Sequence, residues 1–313
     1  MGVFETKSQK KIYTLDHNFQ DIPGAIASYL IPHTNGGVLV ETGPGSTTDR
    51  LVKELNRFGF DPSNISDVLL THIHLDHAGA AGWFAGLGAN IYVHHVGAPH
   101  LKNPEKLLSS AARIYGDKMD ELWGKFLPVS AEKIIELQDG AEISINGLQF
   151  KAIDTPGHAN HHHVYIFEEV LFSGDIAGIR MRELNHIRMP MPPPEFNLEK
   201  WRNSVSKLTS EYRKGSFWSI APTHFGVFLD AGWHLGAIET ALDEIEVWME
   251  EIMPAGYDIQ ELNQHFLNWS RERSLKDGLS PEQIEPYEAA NPSWMSTYGI
   301  SRYWRKYRQP ITG

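Results

Sequence analysis

The chain has 313 residues, and its 28 Lys and Arg against 39 Asp and Glu give a formal charge of −11. With 41% hydrophobic residues there is enough apolar material for a large buried core, so global disorder is excluded. There are no cysteines, which excludes disulfides, thiolate metal sites and a Cys nucleophile, and the acidic balance argues against a general nucleic-acid binder. The sixteen histidines are the unusual entry, since imidazole is the commonest metal ligand.

In chain order, the residues predict strands over Lys11–Leu15, Ala25–Ile31 and Val38–Val40, each short, apolar and rich in β-branched or aromatic residues. Leu51, Leu55 and Phe58 share one face of a helix over Thr47–Phe58. Strands follow at Asp67–Leu70 and Asn90–His94, giving a mixed α/β opening. Spacings of three and four then predict one helix from about Pro104 to Phe126. The segment from Lys102 to Phe126 reads either as a lid over a site or as a packing helix. Short strands are expected near Ile134–Leu137, Ala141–Ile145, Gln149–Ile153, Val164–Phe167 and Val170–Phe172, with Asp139-Gly140 and Asn146-Gly147 as hairpin turns.

Met189 to Pro194 contains four prolines and reads as a stiff loop. A helix over Leu198–Tyr212, a strand near Phe217–Ala221 and a run of helices follow: Leu235–Met253, Ile259–Leu275 and one starting at Ser280-Pro281. The basic and aromatic tail Tyr303–Arg308 reads as a packing segment with solvated cations. The division expected is residues 1–234 as a catalytic domain and 235–313 as a helical extension packed on it. The Trp-rich C-terminal helices suit a homodimer contact or one wall of a pocket. No apolar run approaches the roughly 20 residues of a membrane span, so a cytoplasmic protein with no membrane partner is expected.

The strongest signal is His72-Ile73-His74-Leu75-Asp76-His77, directly after a strand and before the small residues 78–82. The strand fixes the backbone and the small residues let the loop curl, so nitrogen and oxygen ligands converge as a Zn²⁺, Mn²⁺ or Fe²⁺ site requires. Three later strand ends carry His158 (in Thr155-Pro156-Gly157-His158), Asp175 (in Ser173-Gly174-Asp175) and His224 (in Pro222-Thr223-His224-Phe225-Gly226).

HIHLDH, TPGH, SGD and PTHFG in this order resemble the metallo-β-lactamase-fold metallohydrolases, and among them the glyoxalase II-like hydrolases with a helical C-terminal appendage. The resemblance implies a four-layer αββα sandwich of two mixed β-sheets. It places His72, His74 and His158 at one metal, Asp76, His77 and His224 at a second, and Asp175 between them. It gives Asp76 the further task of orienting the attacking hydroxide. Two divalent ions are implied, Zn first, with Mn or Fe also compatible. Glu41 departs from the family's usual Asp-Thr-Gly turn and is expected to accept a hydrogen bond behind the ligands. His162 is expected to orient them as well.

Arg180, Arg182 and Arg188 are candidates for pairing with an anionic substrate, Arg188 above all. His94 and His95 carry a weaker expectation of a role at the site. His17, His33, His100, His186, His234 and His265 are expected to be structural. The function expected is hydrolysis of an ester, thioester or lactone of a small molecule, with no nucleic-acid partner. The alternatives are a phosphodiesterase of the same fold, a mono-iron persulfide-dioxygenase-like oxidoreductase using His72, His158 and Asp175, and a metal-stabilised scaffold.

Overall fold

The computed structural model describes residues 2–309. Seven strands form the first sheet: β1 (Val3–Glu5), β2 (Lys11–Asp16), β3 (Ala27–His33), β4 (Gly36–Val40), β5 (Ile65–Leu69), β6 (Asn90–His94) and β7 (Ile134–Leu137), in that spatial order. The second sheet contains β8 (Glu142–Ile145), β9 (Leu148–Asp154), β10 (His163–Phe167), β11 (Val170–Gly174) and β12 (Ser219–Pro222), ordered β12-β11-β10-β9-β8. The helices are α1 (Thr48–Arg57), α2 (Leu75–Ala78), α3 (Ala81–Gly86), α4 (Ala98–Lys102), α5 (Glu105–Tyr115), α6 (Met119–Trp123), α7 (Leu198–Arg213), α8 (Ala231–Ile252), α9 (Ile259–Lys276), α10 (Pro281–Ala290) and α11 (Ser293–Tyr307).

The two sheets face each other. Val38, Val40 and Leu69 from the first meet Ala152, Tyr165 and Phe172 from the second. Because side chains alternate along a strand, Leu39 and Val68 point the other way, to the layer made with α1 and α3. The outer face of the second sheet packs on α7, α8, α9 and α11 through Trp201, Ile238, Phe266 and Ile300. Helix, sheet, sheet and helix thus form the αββα sandwich. Residues on both sides of position 235 share this last core, and α8 starts at Ala231. Tyr165 donates to the Leu70 carbonyl at 3.1 Å and Tyr29 to the Pro222 carbonyl at 2.5 Å, so a buried hydroxyl ties each sheet to the other.

Strand direction places the site. β4, β5, β6 and β7 run parallel, and so do β11 and β12. β9 is antiparallel to β10, which is antiparallel to β11, so β9 and β11 point the same way. The C-terminal ends of β5, β9, β11 and β12 therefore release Thr71-His72, Thr155 to His158, Asp175 and Thr223-His224. The carboxyl ends of parallel strands are where open α/β sheets bind their ligands.

The structure refines three expectations. The predicted helix over 104–126 is two helices, because Gly116 at φ +55 takes a backbone conformation that ends α5. The tail 303–308 is the end of the 15-residue α11, whose buried stripe includes Met295, Gly299, Ile300 and Tyr303. The mixture of aromatic and basic residues hides that stripe. A short β1 precedes the first predicted strand and pairs with β2.

Candidate metal centre

His72 leaves β5 with its Nδ1 3.1 Å from the Thr71 hydroxyl, and its Nε2 lies 2.9 Å from Nδ1 of His74. His158, on the turn after β9, donates from Nδ1 to the Pro190 carbonyl at 2.8 Å. That bond fixes its tautomer and leaves Nε2 a bare lone pair, also 2.9 Å from Nδ1 of His74. Whichever tautomers His72 and His74 take, Nδ1 of His74 pairs fully with at most one of the two rings that face it. A cation satisfies all three nitrogens together, and these three atoms form one group able to hold a metal ion.

His77, Asp76 and His224 form a second such group, and Asp175 joins His72 and His77 in a third. His224 donates from Nδ1 to the Ala25 carbonyl at 2.7 Å, which turns its Nε2 inward to within 3.5 Å of Asp76 Oδ2 and of Asp175 Oδ1. Asp175 Oδ1 also lies 3.3 Å from His77 Nε2, while its Oδ2 lies 3.3 Å from His158 Nε2. The two oxygens of one carboxylate therefore face opposite triads. Asp175 Oδ1 and both ring nitrogens of His77 are buried without a hydrogen-bond partner. Buried polar atoms left unpaired at a converging donor set are what a divalent cation relieves. The donors are imidazole and carboxylate, so the site fits such an ion chemically.

The charge balance differs between the triads. Burial, then the neighbouring imidazoles, holds His72 and His74 well below the usual histidine range, His74 at about 3, and burial lowers His158 as well. These rings are neutral, as ligands must be. At His77 and His224 burial also opposes a charge, but Asp76 and Asp175 outweigh it and raise both. The same pairing, against burial, pulls Asp175 well down and Asp76 to about 2. The carboxylates are thus ionised across the neutral range.

The residues behind these groups are fixed in turn. Glu41, at φ +64 where the chain leaves β4, accepts from the Thr71 N–H at 3.1 Å and stands 3.6 Å from His77 Nδ1. His162 is fully buried, with Nδ1 on the Thr155 hydroxyl at 2.8 Å and Nε2 accepting from the Asp175 N–H at 3.2 Å. Gly174, at φ +50, is required beside it: a Cβ there would lie 2.4 Å from the Thr71 hydroxyl and 2.7 Å from His162 Nε2. The carbonyls of Pro190 and Ala25, which orient two ligating candidates, had no signal in the sequence, because any residue type supplies a carbonyl.

A cavity of about 690 Å³ opens over the two triads, with His74, Asp76, His158 and Asp175 on its floor. One wall is α5 and α6, through Leu107, Tyr115 and Trp123. The opposite wall combines the Pro190–Glu195 loop with residues 288–295, the end of α10 and the start of α11. The segment 102–126 thus both lines the cavity and packs, its Ala111 and Trp123 joining Phe19 and Leu75 in a small core. His100 and His161 also line the cavity, although neither stood out in the sequence as facing it.

Arg188 is not in this cavity. It is 4% exposed, bonds Glu288 and lies over the Tyr287 ring at 5.5 Å. Placed there it holds one wall rather than a substrate, contrary to the sequence expectation. Arg180 pairs with Asp230 at 2.7 Å, and Arg182 lies over Phe225 and lines a different depression. His94 faces Asp154 at 3.2 Å, also outside the cavity lining.

The model of the metallo-beta-lactamase superfamily matches residues 21–211, the stretch that carries six of the seven converging side chains. The chain belongs to the metallo-beta-lactamase superfamily. A metallo-beta-lactamase family protein of Thermus thermophilus has the same fold, with TM-score 0.67 at 19% identity over 94% of this chain and 93% of that one. A metallo-beta-lactamase fold-containing protein of Sulfurisphaera tokodaii is 28% identical over 144 residues, 45% of this chain and 54% of that protein. An atrochrysone carboxyl ACP thioesterase of Aspergillus fumigatus is 34% identical over 113 residues, 36% of this chain and 27% of the relative. The matches thus span about half of one relative's length and about a quarter of the other's. Among the described residues, no helix is long and apolar enough to cross a membrane.

Proposed function

We propose that this superfamily member is a hydrolase that uses two divalent ions, Zn first and Mn or Fe also compatible, to cleave an ester, thioester or lactone of a small molecule. The observation that carries the reading is Asp175, whose two oxygens face separate triads 3.3 Å away. His72, His74 and His158 would hold one ion, Asp76, His77 and His224 the other, and Asp175 both. Ions held there lower the pKa of a water towards neutrality and polarise a carbonyl oxygen. The thioesterase among the relatives supports the choice of bond.

The chain's own residues do the rest. Asp76 is ionised, is 19% exposed at the cavity floor, and offers an acceptor to orient an attacking water and receive its proton. The Pro190 and Ala25 carbonyls keep His158 and His224 in the tautomer that presents Nε2. The aromatic and aliphatic walls bind the acyl portion and exclude bulk water from the floor.

The test is a panel of aryl esters, acyl thioesters, lactones and phosphodiesters with metal-loaded protein, with Asp76→Ala as control. Turnover of an acyl substrate, lost by at least about 100-fold in Asp76→Ala, supports the reading. Turnover of phosphodiesters alone, or oxygen uptake with iron and no hydrolysis, would replace it.

A further inference from the structure

Tyr115 sits where α5 ends, and its ring is held on two sides. Trp123 of α6 meets it edge to face at 4.9 Å, and Trp294 of α11 meets it at 5.9 Å from the opposite wall. Tyr115 lines the cavity together with His74, Asp76, His158 and Asp175. Its hydroxyl has no hydrogen-bond partner among the described residues and is not fully sealed from solvent. A phenol in such surroundings ordinarily finds a partner. Here the open volume of the cavity is where one can sit.

The other donors of the lining are less well placed: the Trp123 indole N–H is unpaired but sealed off from the open volume. His161 takes the Ile73 N–H on Nδ1 at 3.4 Å and turns Nε2 towards Glu195 at 3.6 Å. Lys106 and Lys118 are exposed. Tyr115 is half-buried on an aromatic mount that leaves its ring little freedom. Burial, then the negative charge of Asp76, keeps the phenol protonated, so it donates and does not compete as a base.

Resting on the hydrolase reading above, we propose that Tyr115 donates a hydrogen bond to the carbonyl oxygen of the bound acyl group, stabilising the charge that builds on it during attack. No proton need leave the phenol: the bond strengthens as the oxygen becomes negative and relaxes when the carbonyl re-forms. Trp123 and Trp294 are positioning residues for this donor.

Tyr115→Phe removes the hydroxyl and keeps the ring, so the packing against both tryptophans survives. With p-nitrophenyl acetate, the expected result is a fall in kcat of about 100-fold with KM changed less than about 3-fold, at unchanged metal content and melting temperature. A second readout needs no turnover. Calorimetric binding of p-nitrophenyl methylphosphonate, a tetrahedral anion, is expected to weaken about 10-fold in the variant, while binding of planar acetate stays the same. Wild-type kcat and phosphonate affinity in Tyr115→Phe overturn the assignment. A wild type that turns over none of the acyl substrates overturns the hydrolase reading instead, so the two failures are distinguishable.

Discussion

The backbone N–H of Asp175 donates to Nε2 of His162 at 3.2 Å, and the other nitrogen of that ring meets the Thr155 hydroxyl at 2.8 Å. A buried imidazole therefore sets the position of the carboxylate that spans both triads, without itself approaching them as a ligand. His162→Ala is expected to weaken metal affinity 10- to 100-fold, measured by competition with a chromogenic chelator, and His162→Gln to recover part of it. Equal affinity in His162→Ala and wild type would show that Asp175 needs no such support.

Much of this arrangement is legible in the residues, for a physical reason. Strand ends are rigid, so His72, His74, Asp76 and His77, in one six-residue run just after β5, mark a converging set even before the fold is known, and Asp175 follows β11 directly. His162, four residues beyond His158, is marked only by the family resemblance, since its neighbours His161 and His163 have the same local pattern. The cavity walls are not. Residues 288–295 reach the site only because α11 folds back on the proline loop, a contact between positions about a hundred apart that no local pattern encodes. Arg188 misleads for a related reason: a cation close in sequence to a proposed site draws attention, but burial against Glu288 is decided by α10, far along the chain.

Arg188 supplies the second prediction. Its guanidinium is buried, and Glu288 in turn accepts from the N–H and hydroxyl of Ser293 at the start of α11. Arg188→Met leaves Glu288 without its cation and is expected to cost about 2–3 kcal/mol in urea unfolding. KM for the best acyl substrate is expected to change less than about 3-fold. A large rise in KM without loss of stability would restore Arg188 as a substrate contact.

The wall itself depends on a close backbone approach. A Cβ on Gly299 of α11 would lie 1.9 Å from the Met191 carbonyl oxygen and 2.9 Å from Pro192 C. Backbone cannot yield as a flexible side chain does, so Gly299→Ala is expected to push α11 off the proline loop. The expected loss is about 2 kcal/mol, or roughly 3 °C in melting temperature for a chain of this size. An unchanged melting temperature would mean that the helix shifts at no cost.

Acid stability is a further test, read at a histidine remote from the triads. His234 donates from Nε2 to the Ala177 carbonyl at 2.9 Å and is fully buried. Burial, with the Arg180 charge adding to it, lowers its pKa to about 4. Between about pH 6.5 and pH 4 the unfolded chain binds a proton there that the folded chain refuses. The stability this group allows is therefore complete above pH 6.5, falls as the pH drops and levels off below 4, a loss of up to about 3 kcal/mol. Urea unfolding of wild type and His234→Gln at pH 7.5 and 4.5 checks it. The variant is expected to be the less sensitive to acid, and identical pH dependence would remove His234 as a contributor.

The proposed chemistry depends on one carboxylate, Asp175, joining two cation sites. Metal analysis of protein purified without chelator, repeated after loading with Zn²⁺, Mn²⁺ or Fe²⁺, tests it most directly, with Asp175→Ala alongside. The expected result is about two divalent ions per chain in the wild type and one or fewer in Asp175→Ala. One ion per wild-type chain at saturation, or none after loading, would contradict it.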